Sequence, residues 1–220
     1  MKRNILLLTG NGFLGRNLIL HLNKKKNNIF FFTRKKNSQI PKIIKVCSED
    51  IFKIKKLQIK NSVVILTTLN NSDNKFYLKF EKLLEKIFYT KPIKVILISS
   101  VSIYAKKQTS YSKNCKLAEN ICKKKFKKLV ILRAGNIFGE YKKNLSYIEK
   151  LLISSINNSK FTENKINLIR SYIHVEEFCK AVSKVINNKT FGHKIYNLSN
   201  KNYIFSSYQI KKILSKKLGF

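Results

Sequence analysis

A chain of 220 residues can form one well-buried α/β domain with at most a small appended lobe. Its 44% hydrophobic content excludes general disorder, and no apolar run approaches the roughly 20 residues that span a bilayer. Lys and Arg number 46 against 11 Asp and Glu, a formal charge of +35 that raises the question of a polyanionic partner such as nucleic acid.

Only five of those basic residues are Arg, the side chain suited to phosphate forks, and the lysines run through nearly every segment. Joint enrichment in Lys, Asn and Ile fits A/T-rich coding acting on surface positions, so a solvated surface is the reading preferred here. A selected polyanion-binding face is the competing reading. No aromatic-basic RNA signature of the Lys/Arg-Gly-Phe-Gly-Phe kind is present.

In chain order, Met1–Leu8 sets basic residues before an apolar run. That run is too short for a signal peptide and leads into a glycine loop, so a cytoplasmic location is expected. Short apolar runs at Ile5–Leu8, Ile29–Phe32, Ile43–Val46, Val63–Leu66, Val95–Ile98 and Leu129–Leu132 have the length of buried strands. Amphipathic stretches near 13–26, 74–89 and 112–126 read as helices, with Asp73 and Ser112 as candidate N-caps. This alternation predicts an α/β, doubly wound parallel sheet of Rossmann type. Beyond Gly139 follow helices near 145–157 and 174–187, a short strand at Lys194–Leu198 and a final helix near 207–218. The whole of 1–220 is expected to be one domain, with a small C-terminal substrate lobe built mainly from 137–170 and 199–220. Cys47, Cys115, Cys122 and Cys179 show neither CxxC nor metal-ligand spacing, so reduced, mostly buried thiols and no metal are expected.

The most specific motif is Thr9-Gly10-Asn11-Gly12-Phe13-Leu14-Gly15, directly after the first strand and opening a helix. Gly10 allows the tight turn, Gly12 lets backbone approach a pyrophosphate, and Gly15 lets the helix sit close to the sheet. The helix N-terminus faces the anion. The second strand ends at Thr33-Arg34-Lys35, without the Asp or Glu that would bind a ribose 2′-hydroxyl. Arg34 could face a 2′-phosphate instead, which favours NADP over NAD.

Further segments follow in order: Val64-Ile65-Leu66-Thr67-Thr68, Ser99-Ser100-Val101-Ser102-Ile103-Tyr104, Leu132-Arg133-Ala134-Gly135-Asn136-Ile137-Phe138-Gly139 and Arg170-Ser171-Tyr172-Ile173-His174-Val175. With the glycine loop and Lys116-Leu117-Ala118-Glu119, they resemble the extended short-chain dehydrogenase/reductase family, the NAD-dependent epimerase/dehydratase group acting largely on nucleotide-sugars. The glycine loop is one residue shorter between its first two glycines than is usual there. The resemblance runs from residue 4 to about 218 and implies a nicotinamide dinucleotide cofactor, with Thr67 and Thr68 at the strand that cradles it. It implies that Ser100 hydrogen-bonds the reacting sugar oxygen, Asn136 touches a nucleotide-sugar and Arg170 clamps its diphosphate. A guanidinium fork suits that last role on chemical grounds too. A homodimer is a further expectation from the resemblance. His174 reads better as a packed or hinge residue than as a catalyst.

The family's chemistry needs Tyr and Lys four residues apart on a helix, so that the ammonium lowers the phenol's pKa. Tyr111 instead precedes Lys116 by five residues, which on a regular helix turns them about 140° apart. Strict spacing sets Cys115 opposite Tyr111, or Ser112 opposite Lys116. Either Tyr111 sits on the loop before the helix and still pairs with Lys116, or the pair is broken; Tyr104 is a weaker candidate proton donor. The expected activity is an NAD(P)-dependent oxidoreductase or epimerase acting on a nucleotide-sugar by hydride transfer with Tyr-assisted proton transfer, with Ser100, Tyr111 and Lys116 as catalytic residues. The alternatives are a catalytically weak dinucleotide-binding regulatory or scaffold protein, and an RNA-associated Rossmann protein.

Overall fold

A computed structural model describes residues 3–8, 12–23, 27–32, 45–47, 61–67, 76–140, 146–157, 159, 168–189 and 192–218. The strands of its larger sheet are β1 (Asn4–Leu8), β2 (Asn28–Phe32), β3 (Lys45–Cys47), β4 (Val63–Leu66), β5 (Lys94–Ser100), β6 (Leu129–Ala134) and, after two short strands described below, β9 (His193–Leu198). They stand in the order β3-β2-β1-β4-β5-β6-β9, and every pairing is parallel. The Rossmann expectation is met. The apolar runs end up where their length required, since a strand covered by helices on both faces has no polar face to show.

Side-chain alternation divides the core cleanly. Ile5 and Leu7 of β1 join Val63, Ile65, Ile96 and Ile98 on the face covered by α1 (Phe13–Asn23) and α5 (Val175–Asn187). Leu6 and Leu8 join Val64, Leu66, Val95 and Leu97 on the opposite face, under α2 (Phe76–Phe88) and α3 (Ser110–Lys125). A one-residue slip in any central strand would exchange these two sets, so register is strongly specified.

The C-terminal region holds elements that the apolar runs did not reveal. β7 (Asn136–Phe138), β8 (Ile169–His174) and β10 (Ile204–Ser206) form a second, three-stranded sheet in the order β10-β8-β7. With α4 (Tyr147–Ile156) and α6 (Ser207–Leu218) it encloses a separate small cluster of Leu151, Tyr172 and Ile210, flanked by Phe138, Tyr147 and Phe205. The Ile43–Val46 run overlaps β3 at Lys45 and Val46, and its first two residues lie outside the described chain. Asp73 lies outside it as well.

Ser112 is not an N-cap. Thr109 is, because its hydroxyl accepts from the Ser112 N–H at 3.2 Å while the Ser112 hydroxyl accepts from the Thr109 N–H at 2.8 Å. This reciprocal box satisfies two backbone donors where a Ser112 cap would satisfy one, so the helix begins two residues earlier.

Lys94 opens β5 from a buried position, 4% exposed, and its ammonium donates to the carbonyls of Val185 (2.6 Å), Ile186 and Asn188 at the end of α5. It supplies the cationic cap that a helix C-terminus favours, although desolvation lowers its pKa. Lys94→Met keeps the stem but strands those carbonyls. It should lower unfolding free energy by about 1–3 kcal/mol in urea denaturation.

Candidate active site

The chain leaves β1 for β2 on one side of the sheet and later returns to β4 on the other. The crevice beyond the carboxyl ends of β1 and β4 is therefore the switch point at which open α/β sheets bind ligands. There the Thr67 hydroxyl donates to the Leu8 carbonyl at 3.4 Å, linking the two strand ends. α1 opens at Phe13, with the Arg16 N–H donating to the Gly12 carbonyl at 3.0 Å. The Asn17 amide donates to the carbonyls of Phe13 (2.9 Å) and Glu140 (3.1 Å), tying this helix to the chain that follows β7.

Among the described residues, a Cβ added at Gly12 meets nothing within 4 Å, and the backbone there needs no positive φ. The described residues around it therefore do not themselves require glycine at this position. A ligand lying on the backbone would, and that fits the pyrophosphate of a dinucleotide at a helix N-terminus. Phe13, Leu14 and Gly15 form the first turn of α1, with Gly15 buried. Gly10, Asn11, Arg34 and Thr68 lie outside the described residues.

Ser100 ends β5 on the same edge of the sheet. Its backbone is extended, and its hydroxyl accepts from the Ser102 N–H at 3.1 Å, capping a 3-10 turn over Val101–Tyr104. Tyr111 is the second residue of α3, so it does not sit on a loop ahead of the helix. Its phenol hydrogen-bonds to Cys115, one helical turn on, and to Ser100. Burial, reinforced by Cys115 and opposed by the Ser100 hydrogen bond, pushes the Tyr111 phenol up to about 12. Burial likewise raises the Cys115 thiol to about 11, against the hydrogen bond from Tyr111. Lys116 is exposed, and the structure does not bring it to Tyr111; Cys115 takes the place one turn away.

Behind this group lies a buried carboxylate. Glu119, 2% exposed, accepts from the Ser99 hydroxyl at 2.7 Å and from Arg133 through Nε (3.0 Å) and Nη2 (2.6 Å). The Arg133 guanidinium also donates to the Tyr104 hydroxyl and lies 5.1 Å from the centre of that ring. Tyr104 in turn donates to Asn197 at 3.1 Å, so its hydroxyl is engaged away from Ser100. Sequence reasoning did not select Ser99, Glu119 or Arg133. The available signal was the spacing of Tyr111, Cys115 and Glu119, which repeats every four residues along one helix face.

Asn136 and Arg170 belong to the second sheet. Asn136 is exposed and donates to the Ser171 carbonyl at 3.2 Å. Arg170 donates to the Ser207 hydroxyl at 3.3 Å and lies over the Tyr147 ring, 5.6 Å from its centre, between α4 and α6. His174 caps α5, with Nδ1 accepting from the Glu176 N–H, and its ring meets Phe138 edge-on. Gly139 has φ of +133°, and a side chain there would strike Val175 at 2.7 Å. The segment after β6 is thus clasped against β8 and α5. Among the described residues, no group of three or more His, Cys, Asp or Glu could hold a metal ion, and no helix is long and apolar enough to cross a membrane.

Sheet order and the helix that opens just after β1 define a Rossmann-type dinucleotide-binding fold. The chain belongs to the NAD dependent epimerase/dehydratase family, whose model matches residues 5–199. No curated protein matches it in sequence. Among solved structures it is similar to a dTDP-glucose 4,6-dehydratase from Bacillus anthracis in complex with NAD (19% identity, 99% of this chain and 81% of that one, TM-score 0.81). It is also similar to a UDP-glucuronic acid 4-epimerase variant from Bacillus cereus bound to a fluorinated UDP-sugar and NAD (18%, 99% and 83%, TM-score 0.82). A third is the ADP-L-glycero-D-manno-heptose-6-epimerase of Helicobacter pylori (20%, 99% and 83%, TM-score 0.78).

Replacing Glu119 by Ala strands the Arg133 guanidinium, whose side chain is 14% exposed. Breaking such a pair from one side should cost about 3–5 kcal/mol in denaturant titrations. At alkaline pH the unfolded phenol of Tyr111 ionises near 10 and the folded one near 12, so its contribution is complete below pH 10 and is lost as pH rises toward 12. Tyr111→Phe should flatten that limb of the stability curve.

Proposed function

We propose that the protein is a nicotinamide-dinucleotide-dependent enzyme acting on a nucleotide-activated sugar. The observation that carries this reading is the placing of Tyr111 and Ser100 at the end of the sheet where α1 also opens, just after Gly12. Family membership and the sugar-nucleotide ligands named for its structural neighbours support it.

In this reading the backbone of Gly10–Gly15 and the N-terminus of α1 hold the pyrophosphate, and Thr67 borders the dinucleotide at the end of β4. Arg34, with no acid beside it, favours NADP, whereas two of the neighbours above carry NAD. The bound nicotinamide would supply or accept hydride. Ser100 orients the reacting sugar oxygen, and Tyr111 moves the proton at that oxygen. Asn136 contacts the nucleotide-sugar, and Arg170 turns from Tyr147 and Ser207 to grip its diphosphate. Lys116 brings no charge to the face Tyr111 occupies. A second reading, a dinucleotide-binding protein with weak turnover, is favoured by Cys115 standing opposite Tyr111 in place of an ammonium.

A thermal-shift screen of NAD, NADP and a panel of nucleotide-sugars tests the reading. A ligand at 100 times its Kd should add about 2.7 kcal/mol to native stability. Tyr111→Phe should then abolish turnover while leaving the dinucleotide shift intact. Undiminished turnover in that variant would remove Tyr111 from the chemistry. Stabilisation by dinucleotide with no sugar turned over would select the second reading.

A further inference from the structure

Asn17 stands in α1 one turn beyond Phe13, half-buried. Asparagine is a poor former of helix interiors, so the helix itself does not call for it. Its amide nitrogen has two protons, and both are taken. One goes to the Phe13 carbonyl at the opening of α1 (2.9 Å), the other to the Glu140 carbonyl beyond β7 (3.1 Å). Beside Glu140, the Gly139 N–H donates to Oε1 of Glu149 at 3.2 Å. Oε2 of that carboxylate accepts from the Ser146 hydroxyl at 2.7 Å and from the Ser146 N–H, where α4 begins. Tyr147 opens α4, and its ring lies under the Arg170 guanidinium. A run of hydrogen bonds therefore leads from the first turn of α1 toward the ring that backs Arg170. The Asn17 amide is where it crosses from the helix of the main sheet to the lobe.

Resting on the function proposed above, we propose that Asn17 is a positioning residue that couples the two ligands, so that a dinucleotide at α1 tightens the lobe on the nucleotide-sugar. A dinucleotide at the N-terminus of α1 orders the first turn, and with it the Phe13 carbonyl. The Asn17 amide is then held by one of its two acceptors, and seating the Glu140 carbonyl against it costs less entropy. Glu149 carries that seating to the start of α4, where Tyr147 backs Arg170. Linkage requires the nucleotide-sugar to tighten the dinucleotide by the same factor.

Isothermal titration measures that factor. The affinity for NAD or NADP is taken alone and with saturating UDP-, dTDP- or ADP-glucose, and the sugar affinity with and without the dinucleotide. The wild-type protein should give one factor in both directions, about fivefold or more. Asn17→Ala should bring it to within about twofold of unity while leaving the dinucleotide affinity of the empty protein unchanged. An asparagine that only supports the fold would instead weaken both ligands and leave the factor intact. Asn120→Ala, on the exposed side of α3, should keep the wild-type factor. A wild-type factor of one overturns the proposal whether or not the variant folds, as does an Asn17→Ala protein with the wild-type factor. A second readout needs no ligand: amide exchange at Gly139 should quicken about fivefold or more in Asn17→Ala, and an unchanged rate overturns the bridge. If either ligand fails to bind, the function reading fails, and exchange at Gly139 judges the bridge by itself.

Discussion

The Glu119 carboxylate fixes how α3 sits on the sheet. It is reached from β5 by Ser99, from β6 by both arms of the Arg133 fork, and it is almost wholly out of water. A buried carboxylate is tolerated only when its lone pairs are taken, so the helix has one rotational setting that satisfies it. Four and eight residues back along the same stripe lie Cys115 and Tyr111. The identity of the group facing the phenol is therefore decided a turn and more away, by an ion pair that touches no substrate.

That dependence explains what could be read from the chain and what could not. Strands such as Val63–Leu66 were legible because a fully covered parallel strand is apolar throughout, and helix α5 because its apolar stripe is well marked. The strand Ile169–His174 was not, because Arg170, Ser171 and His174 break its apolar pattern and only Tyr172 and Ile173 are buried. Its partners β7 and β10 are three residues each, too short to show any period.

At the site, the sequence left the Tyr111–Lys116 spacing open between two geometries. The choice fell to Thr109, whose capping box starts the helix early enough to include Tyr111, and to Glu119, whose burial sets the rotation. Thr109 acts through a helix cap and Glu119 through a buried ion pair, and neither partner can be read from the spacing alone. Lys116, by contrast, joins Lys113 and Lys124 on the exposed side of the helix, where the chain's large positive charge is accommodated.

One edge of the main sheet stands apart. β9 pairs with β6 on its inner side, and among the described residues no strand pairs with its outer side. His193 to Asn197 are exposed along it, including Ile195 and Tyr196. An open, partly apolar edge is a template on which another chain can add a strand. A formal charge of +35 sets repulsion between molecules against such pairing, and repulsion fades as the Debye length shrinks to about 8 Å at physiological salt and 3 Å at 1 M. The chain's large positive charge thus opposes the addition of one sheet to the next, and salt weakens that opposition.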